Sequence, residues 1–189
     1  MQFPIKTPVS VRKVALGLTV LEMLIVIAAL AVIVLISVPG SGMLLAKYQL
    51  ESATKGIHEG LELARTEAQL RNSKVVMCPS SNGHVCRRDG NWNMGWLVYT
   101  DGNDDGVVED IELIRSFEAP SNAIHIIATG AVQSRAAFTL TGLVPDNGAK
   151  AGQFKICLED SDKPPKLLNI LEEGWLQEMP ARDQDCSTG

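Results

Sequence analysis

Three acids and an amide crowd into one short stretch, Asp101-Gly102-Asn103-Asp104-Asp105-Gly106, and Glu112 follows after five further residues. Oxygens in that spacing wrap a hard cation such as calcium: the glycine permits a sharp turn and the distant glutamate closes the shell with both of its oxygens. The candidate ligands are Asp101, Asn103, Asp105 and Glu112. Such loops join two helices, whereas here Trp96 to Thr100 and Ile111 to Phe117 read as strands. A hairpin needs Asp, Asn and Gly for its turn geometry in any case. We therefore expect an acidic hairpin turn and no cofactor, with calcium as the alternative. Asp101, Asp104, Asp105 and Glu109 repel one another unless a cation or a basic side chain stands nearby.

Four cysteines form the second candidate group. They divide by spacing into Cys78 with Cys86 and Cys157 with Cys186, although four cysteines allow three pairings. Zinc is disfavoured: neither pair has Cys-x-x-Cys spacing, and His58, His84 and His125 are scattered. No Gly-x-Ser-x-Gly elbow, phosphate-cradling glycine loop or His-Glu-x-x-His motif is present, so we expect no enzyme. Trp92, Trp96 and Trp175 could make a carbohydrate platform, but core aromatics are commoner, and we expect them in or capping the core.

These groups must be positioned by a chain of 189 residues with a net charge of −5. An apolar run from Met23 to Ile36 dominates its first quarter. As a helix, Leu18 to Val38 would rise about 32 Å, the thickness of a bilayer's hydrocarbon core. Lys6, Arg12 and Lys13 precede the run and no acid comes before Glu22, so the N-terminus should stay in the cytoplasm while the remainder is exported. Glu22 is out of place in a plain anchor, because a carboxylate there usually marks a function and a cationic partner. Without the first seventeen residues the chain holds fourteen basic residues against twenty-two acidic ones, a balance of −8 that disfavours nucleic acid.

Past Pro39, Gly40, Ser41 and Gly42, where a kink is expected, the pattern turns amphipathic. Leu50, Ala53, Ile57, Leu61, Ala64 and Ala68 recur at helical spacing, and Glu51/Lys55 and Glu67/Arg71 stand as i, i+4 pairs. Short apolar runs then read as strands: Val75–Cys78, Val85–Cys86, Trp96–Thr100, Ile111–Phe117, Ala123–Ala128, Ala136–Thr141, Phe154–Leu158 and Leu167–Leu171. The expected layout is a leader over 1–17, a spanning helix over 18–39, an amphipathic helix over 40–72 and a β-rich domain over 73–189.

Gly17-Leu18-Thr19-Val20-Leu21-Glu22 behind a basic leader resembles the class III signal of type IV pilins and pseudopilins, although Leu18 stands where that family prefers Phe. The resemblance implies cutting after Gly17 by a prepilin peptidase, methylation of the new N-terminus at Leu18, and assembly roles for Glu22 and Pro39. Leu63-Ala64-Arg65-Thr66-Glu67-Ala68, Val75-Val76-Met77-Cys78-Pro79-Ser80, Gly83-His84-Val85-Cys86, Trp92-Asn93-Met94-Gly95-Trp96 and the acidic loop then resemble the GspH/FimT family of minor pilins and pseudopilins. That likeness runs to about Gly106. It implies an α+β fold in which the second half of a long N-terminal helix packs on antiparallel sheet. It also implies a priming or tip subunit of a type IV pilus, held in the bacterial inner membrane with its domain in the periplasm, or outside the cell once assembled. Other minor pilins and the major pilin would be its partners. A minor pseudopilin of type II secretion is the near alternative, and a DNA-uptake receptor the distant one. Some relatives bind DNA through Gly-Arg-x-Arg near the C-terminus; here Pro180-Ala181-Arg182-Asp183-Gln184-Asp185 sets one arginine among acids, and Arg87-Arg88 is a small patch, so DNA is not expected as a partner.

Overall fold

A computed structural model describes residues 19–37, 41–145, 148–159, 164–180 and 186. The chain divides into two units, Met1–Gly42 and Met43–Gly189. In the first lies helix α1, Val20–Ser37. Helix α2, Ser41–Arg71, belongs almost wholly to the second. Pro39, where the kink was expected, lies outside the described residues.

The amphipathic stripe of α2 is buried as its spacing predicts, with Leu50 and Ala53 5% exposed and Ile57, Leu61, Ala64 and Ala68 fully covered. The helix ends at Asn72, which adopts a left-handed conformation at φ 48°, while the Ser73 N–H donates to the Ala68 carbonyl at 3.3 Å. That six-to-one bond around a left-handed residue satisfies carbonyls the helix end would otherwise orphan. On the charged face, Glu67 pairs with Arg71 as expected, but Glu51 pairs with Lys47 at 3.7 Å and Lys55 with Glu59 at 3.6 Å, in place of the expected Glu51/Lys55 contact. These are exposed i, i+4 pairs of small energetic weight.

Two antiparallel sheets follow. The first has the order β3-β2-β1-β5-β6, built from β1 (Val75–Pro79), β2 (Trp96–Thr100), β3 (Leu113–Phe117), β5 (Ala136–Thr139) and β6 (Gly142–Leu143). The second runs β4-β7-β8-β9, from β4 (Ile124–Gly130), β7 (Gly152–Leu158), β8 (Lys166–Ile170) and β9 (Leu176–Pro180). Every residue of β1 is buried because both faces of its sheet are covered. Val75 and Met77 join the main core with α2 and the second sheet, while Val76 and Cys78 join a smaller cluster with Leu97, Tyr99 and Ala137. In β4 the pattern alternates: Ile124, Ile126 and Ala128 face inward.

Trp96 of β2 fixes how closely α2 approaches the sheet. A Cβ placed on Gly56 would lie 3.1 Å from its ring, and one on Gly60 would lie 3.1 Å from its Nε1 and 3.0 Å from Met77. These two glycines, not Ala64 and Ala68 alone, create the room for contact. Trp92 is also buried, donating Nε1–H to the Gln133 carbonyl at 3.1 Å and meeting Phe154 edge-on at 4.9 Å. Trp175 departs from the core expectation: it is 59% exposed, with the Arg65 guanidinium 4.0 Å above its ring.

Several strand assignments need correction. Val85–Cys86 is not a strand, since Ser80 Oγ and Asn82 Oδ1 accept the N–H groups of Gly83, His84 and Val85 and hold the segment as a loop. The run Ala136–Thr141 splits into β5 and a turn into β6, and β3 begins only at Leu113. Strand β9 has no β-branched residue and ends in proline, so its sequence gave no strand signal; its place at a sheet edge tolerates both.

Candidate functional site

The first candidate region is α1. Thr19 caps it: its Oγ1 accepts the Glu22 N–H at 3.2 Å and its carbonyl accepts the Met23 N–H at 3.2 Å. Thr19-Val20-Leu21-Glu22 thus has the order of a capping box, and Glu22 sits in the first turn, where the helix dipole favours a carboxylate by about 0.3–1 kcal/mol. From Val20 to Ile33 the large apolar side chains stay uncovered on every face, from 46% exposed at Val26 to 79% at Val20. A helix apolar all round belongs inside lipid or a bundle of other helices. Among the described residues no helix is long and apolar enough to cross a membrane. Gly17 and Leu18, the expected processing and methylation residues, lie outside the described residues, as does Pro39.

Both cysteine pairs are bonded in the arrangement that spacing favours. Cys78 of β1 joins Cys86 with Cα atoms 5.6 Å apart, and Cys157 of β7 joins Cys186 at 5.7 Å. The first clamps the loop after β1 onto the strand. The second ties the C-terminal segment to the second sheet, where a chain end would otherwise fray.

The acidic loop is neutralised from within. Lys74, directly before β1, places Nζ 2.8 Å from the buried carboxylate of Asp101 and also bonds Asp104. Partial burial works to lower the Lys74 pKa, but the hydrogen bonds to Asp101 and Asp104 outweigh it and raise the value above the usual 10.5. The same Lys74 hydrogen bond holds the Asp104 carboxyl below its usual 3.8. Asp101 Oδ1 accepts the Gly106 N–H at 3.2 Å, Asp105 accepts from Asn103 and from the Val107 N–H, and Glu112 Oε2 accepts the Glu109 N–H at 3.4 Å. Each candidate ligand thus has an oxygen already engaged by a turn donor. Among the described residues no group of three or more His, Cys, Asp or Glu side chains could hold a metal ion. The basic neighbour that the crowded acids require is Lys74, whose contact with Asp101 depends on how β1 pairs with β2 and so has no local sequence signal.

With this geometry in place, comparison with known proteins is decisive for the family. Residues 53–172 match the family described as Type II transport protein GspH. The chain belongs to that family. The match begins inside α2 and runs past β8, well beyond the Gly106 limit of the resemblance read from sequence. Two crystal structures of the type IV minor pilin FimU from Pseudomonas aeruginosa share the fold. One has a TM-score of 0.53 at 21% identity, covering 71% of this chain and 90% of that one. The other, in a second crystal form, has a TM-score of 0.51 at 21% identity, covering 69% and 93%. No curated protein matches the sequence. The fold is therefore α+β and pilin-like, a helix packed on antiparallel sheet.

Proposed function

We propose that the chain is a minor pilin, a structural and assembly subunit of a type IV pilus with a priming or tip role, and not an enzyme. The observation that carries this is α1, an apolar helix uncovered on all faces and bearing one carboxylate, Glu22, ahead of a domain with the pilin fold. In this reading the leader over 1–17 is cut after Gly17 by a prepilin peptidase and Leu18 is methylated. Residues 18–39 span the inner membrane with the N-terminus in the cytoplasm and then join the filament core. The domain is periplasmic until assembly carries it outside. Other minor pilins and the major pilin cover α1, and Glu22 and Pro39 are assembly residues. Inside an apolar bundle an unpaired Glu22 is costly, so the methylated amine of a neighbouring Leu18 would neutralise it and set axial register.

The test has two arms. Mass analysis of the mature N-terminus should begin at Leu18, and a start beyond Glu22 would remove the pilin assignment. Glu22→Ala should leave insertion and folding intact while reducing incorporation into filaments; normal incorporation would reduce Glu22 to the capping role its first-turn position already gives it.

A minor pseudopilin of type II secretion is the second reading, favoured by the description of the matched family. Capture of the intact protein from membranes separates the two, by whether pilus subunits or secretion components accompany it. A DNA-uptake role ranks behind both, since Arg182 stands among acids in the sequence and eight acids face three bases from Cys157 onward.

A further inference from the structure

A groove of about 280 Å³ opens beside the Cys78–Cys86 disulfide, floored by Tyr99 and edged by Arg87, Arg88 and Arg135. Three guanidinium groups in one small cavity are unusual in a chain with a net charge of −5. The two bonded cysteines and the β1–β5 pairing bring them together from separate loops. Arg87 is committed, donating to both oxygens of Asp89, which is also held by the Asn91 N–H. That contact, with the Arg87 hydrogen bond as the largest cause, keeps Asp89 ionised below its usual 3.8. Arg88 and Arg135 are exposed and have no ion pair among the described residues. Asp105 also edges the groove, but Asn103 and the Val107 N–H already occupy its oxygens. Burial, with the charge of Asp101 second, pushes the Tyr99 hydroxyl up to about 12, so at neutral pH it keeps its proton.

We propose that this groove is a binding site for a carboxylate side chain on an acidic peptide segment of a neighbouring subunit. Arginine forks match a carboxylate with two parallel hydrogen bonds, and the cavity has room for one or two side chains. A nucleic-acid backbone fits less well, because two unpaired guanidinium groups in a cavity of about 280 Å³ receive a carboxylate but offer no extended basic track for a run of phosphates. Charge complementarity names the source: from Cys157 onward this acidic chain carries eight acids against three bases, so a subunit of similar composition offers the needed carboxylates. The choice of a subunit as source rests on the filament reading, but occupancy of the groove is measured without a filament.

The test uses the intact chain in detergent micelles, an oligoglutamate peptide as probe, and an oligothymidylate of similar charge as the competing arm. Side-chain Nε–H resonances of Arg87, Arg88 and Arg135 should shift saturably with the peptide, while that of Arg65 should not. Arg88→Ala with Arg135→Ala should weaken binding by about tenfold or more with an unchanged melting temperature. Non-saturable shifts, or equal binding by the double variant, would overturn the proposal. Tighter binding of the oligothymidylate than of the peptide would overturn it in favour of nucleic acid. Failure of any arm leaves the filament reading to the Glu22→Ala experiment.

Discussion

Helices α1 and α2 obey the same rule with opposite results. In α2 the apolar residues form one stripe, and Ile57 and Leu61 vanish into a core supplied by the chain's own sheets. Apolar residues of α1 lie on every face, and Leu21, Leu24 and Ile27 remain more than half exposed. A stripe asks for one neighbour, which the chain provides; a helix apolar on every face asks for surroundings the described residues do not supply. The contrast is sharpest in paired truncations. Ile57→Ala should destabilise the β-rich unit by about 2–5 kcal/mol, through lost burial and a cavity in a packed core. Ile25→Ala should leave its melting unchanged within about 0.5 kcal/mol, because nothing in the described chain covers that side chain. Near-ultraviolet circular dichroism of the intact chain in micelles, reporting Trp92 and Trp96, checks both. An equal loss in the two variants would erase the distinction between the helices.

A second way to sharpen it lies in the fit of α2 to Trp96. Gly60→Ala adds a methyl group 3.0 Å from Met77 and 3.1 Å from the indole nitrogen. Overpacking of this kind should cost about 1–3 kcal/mol, even though alanine is the better helix former. A rise in stability would mean that the sheet yields and that Gly60 is not what sets the approach.

The same contrast explains what was legible in the sequence. The α2 stripe, the strands around β1 and β2, and the cysteine pairs rest on local period or spacing, and the fold realises them. What escaped depends on tertiary context. Strand β9 exists because β8 offers an edge, the Val85–Cys86 segment is loop because Asn82 captures its N–H groups, and Arg135 reaches Arg87 and Arg88 only through pairing of β5 with β1. Frequency alone places Trp175 in or capping the core, and its contact with Arg65 at the surface has no sequence period to announce it. On α1 the Thr-x-x-Glu capping order is present in the sequence, where it overlaps the signal that contains Glu22.

The smallest expected effect concerns the acidic loop, where the chain again supplies its own partner. The folded pKa of Asp104 is depressed, so its contribution to stability is complete above the usual 3.8 and is lost as pH falls through the folded value. Lys74 is raised, so its contribution is complete below the usual 10.5 and is lost as pH climbs through the folded value. The link between them is therefore intact across the whole neutral range and is lost only toward the acid and alkaline extremes. Asp104→Asn should flatten the acid limb of the stability curve below about pH 4, with little change at pH 7 because Asp104 is largely exposed. Millimolar calcium should not raise the melting temperature of the native chain above its value in chelator, since Lys74 already provides the positive charge and backbone donors occupy Asp101, Asp105 and Glu112. A calcium-dependent rise that disappears in Asp101→Ala with Asp105→Ala would show that the cation displaces Lys74, and the loop would then join α1 as a region completed from outside the chain.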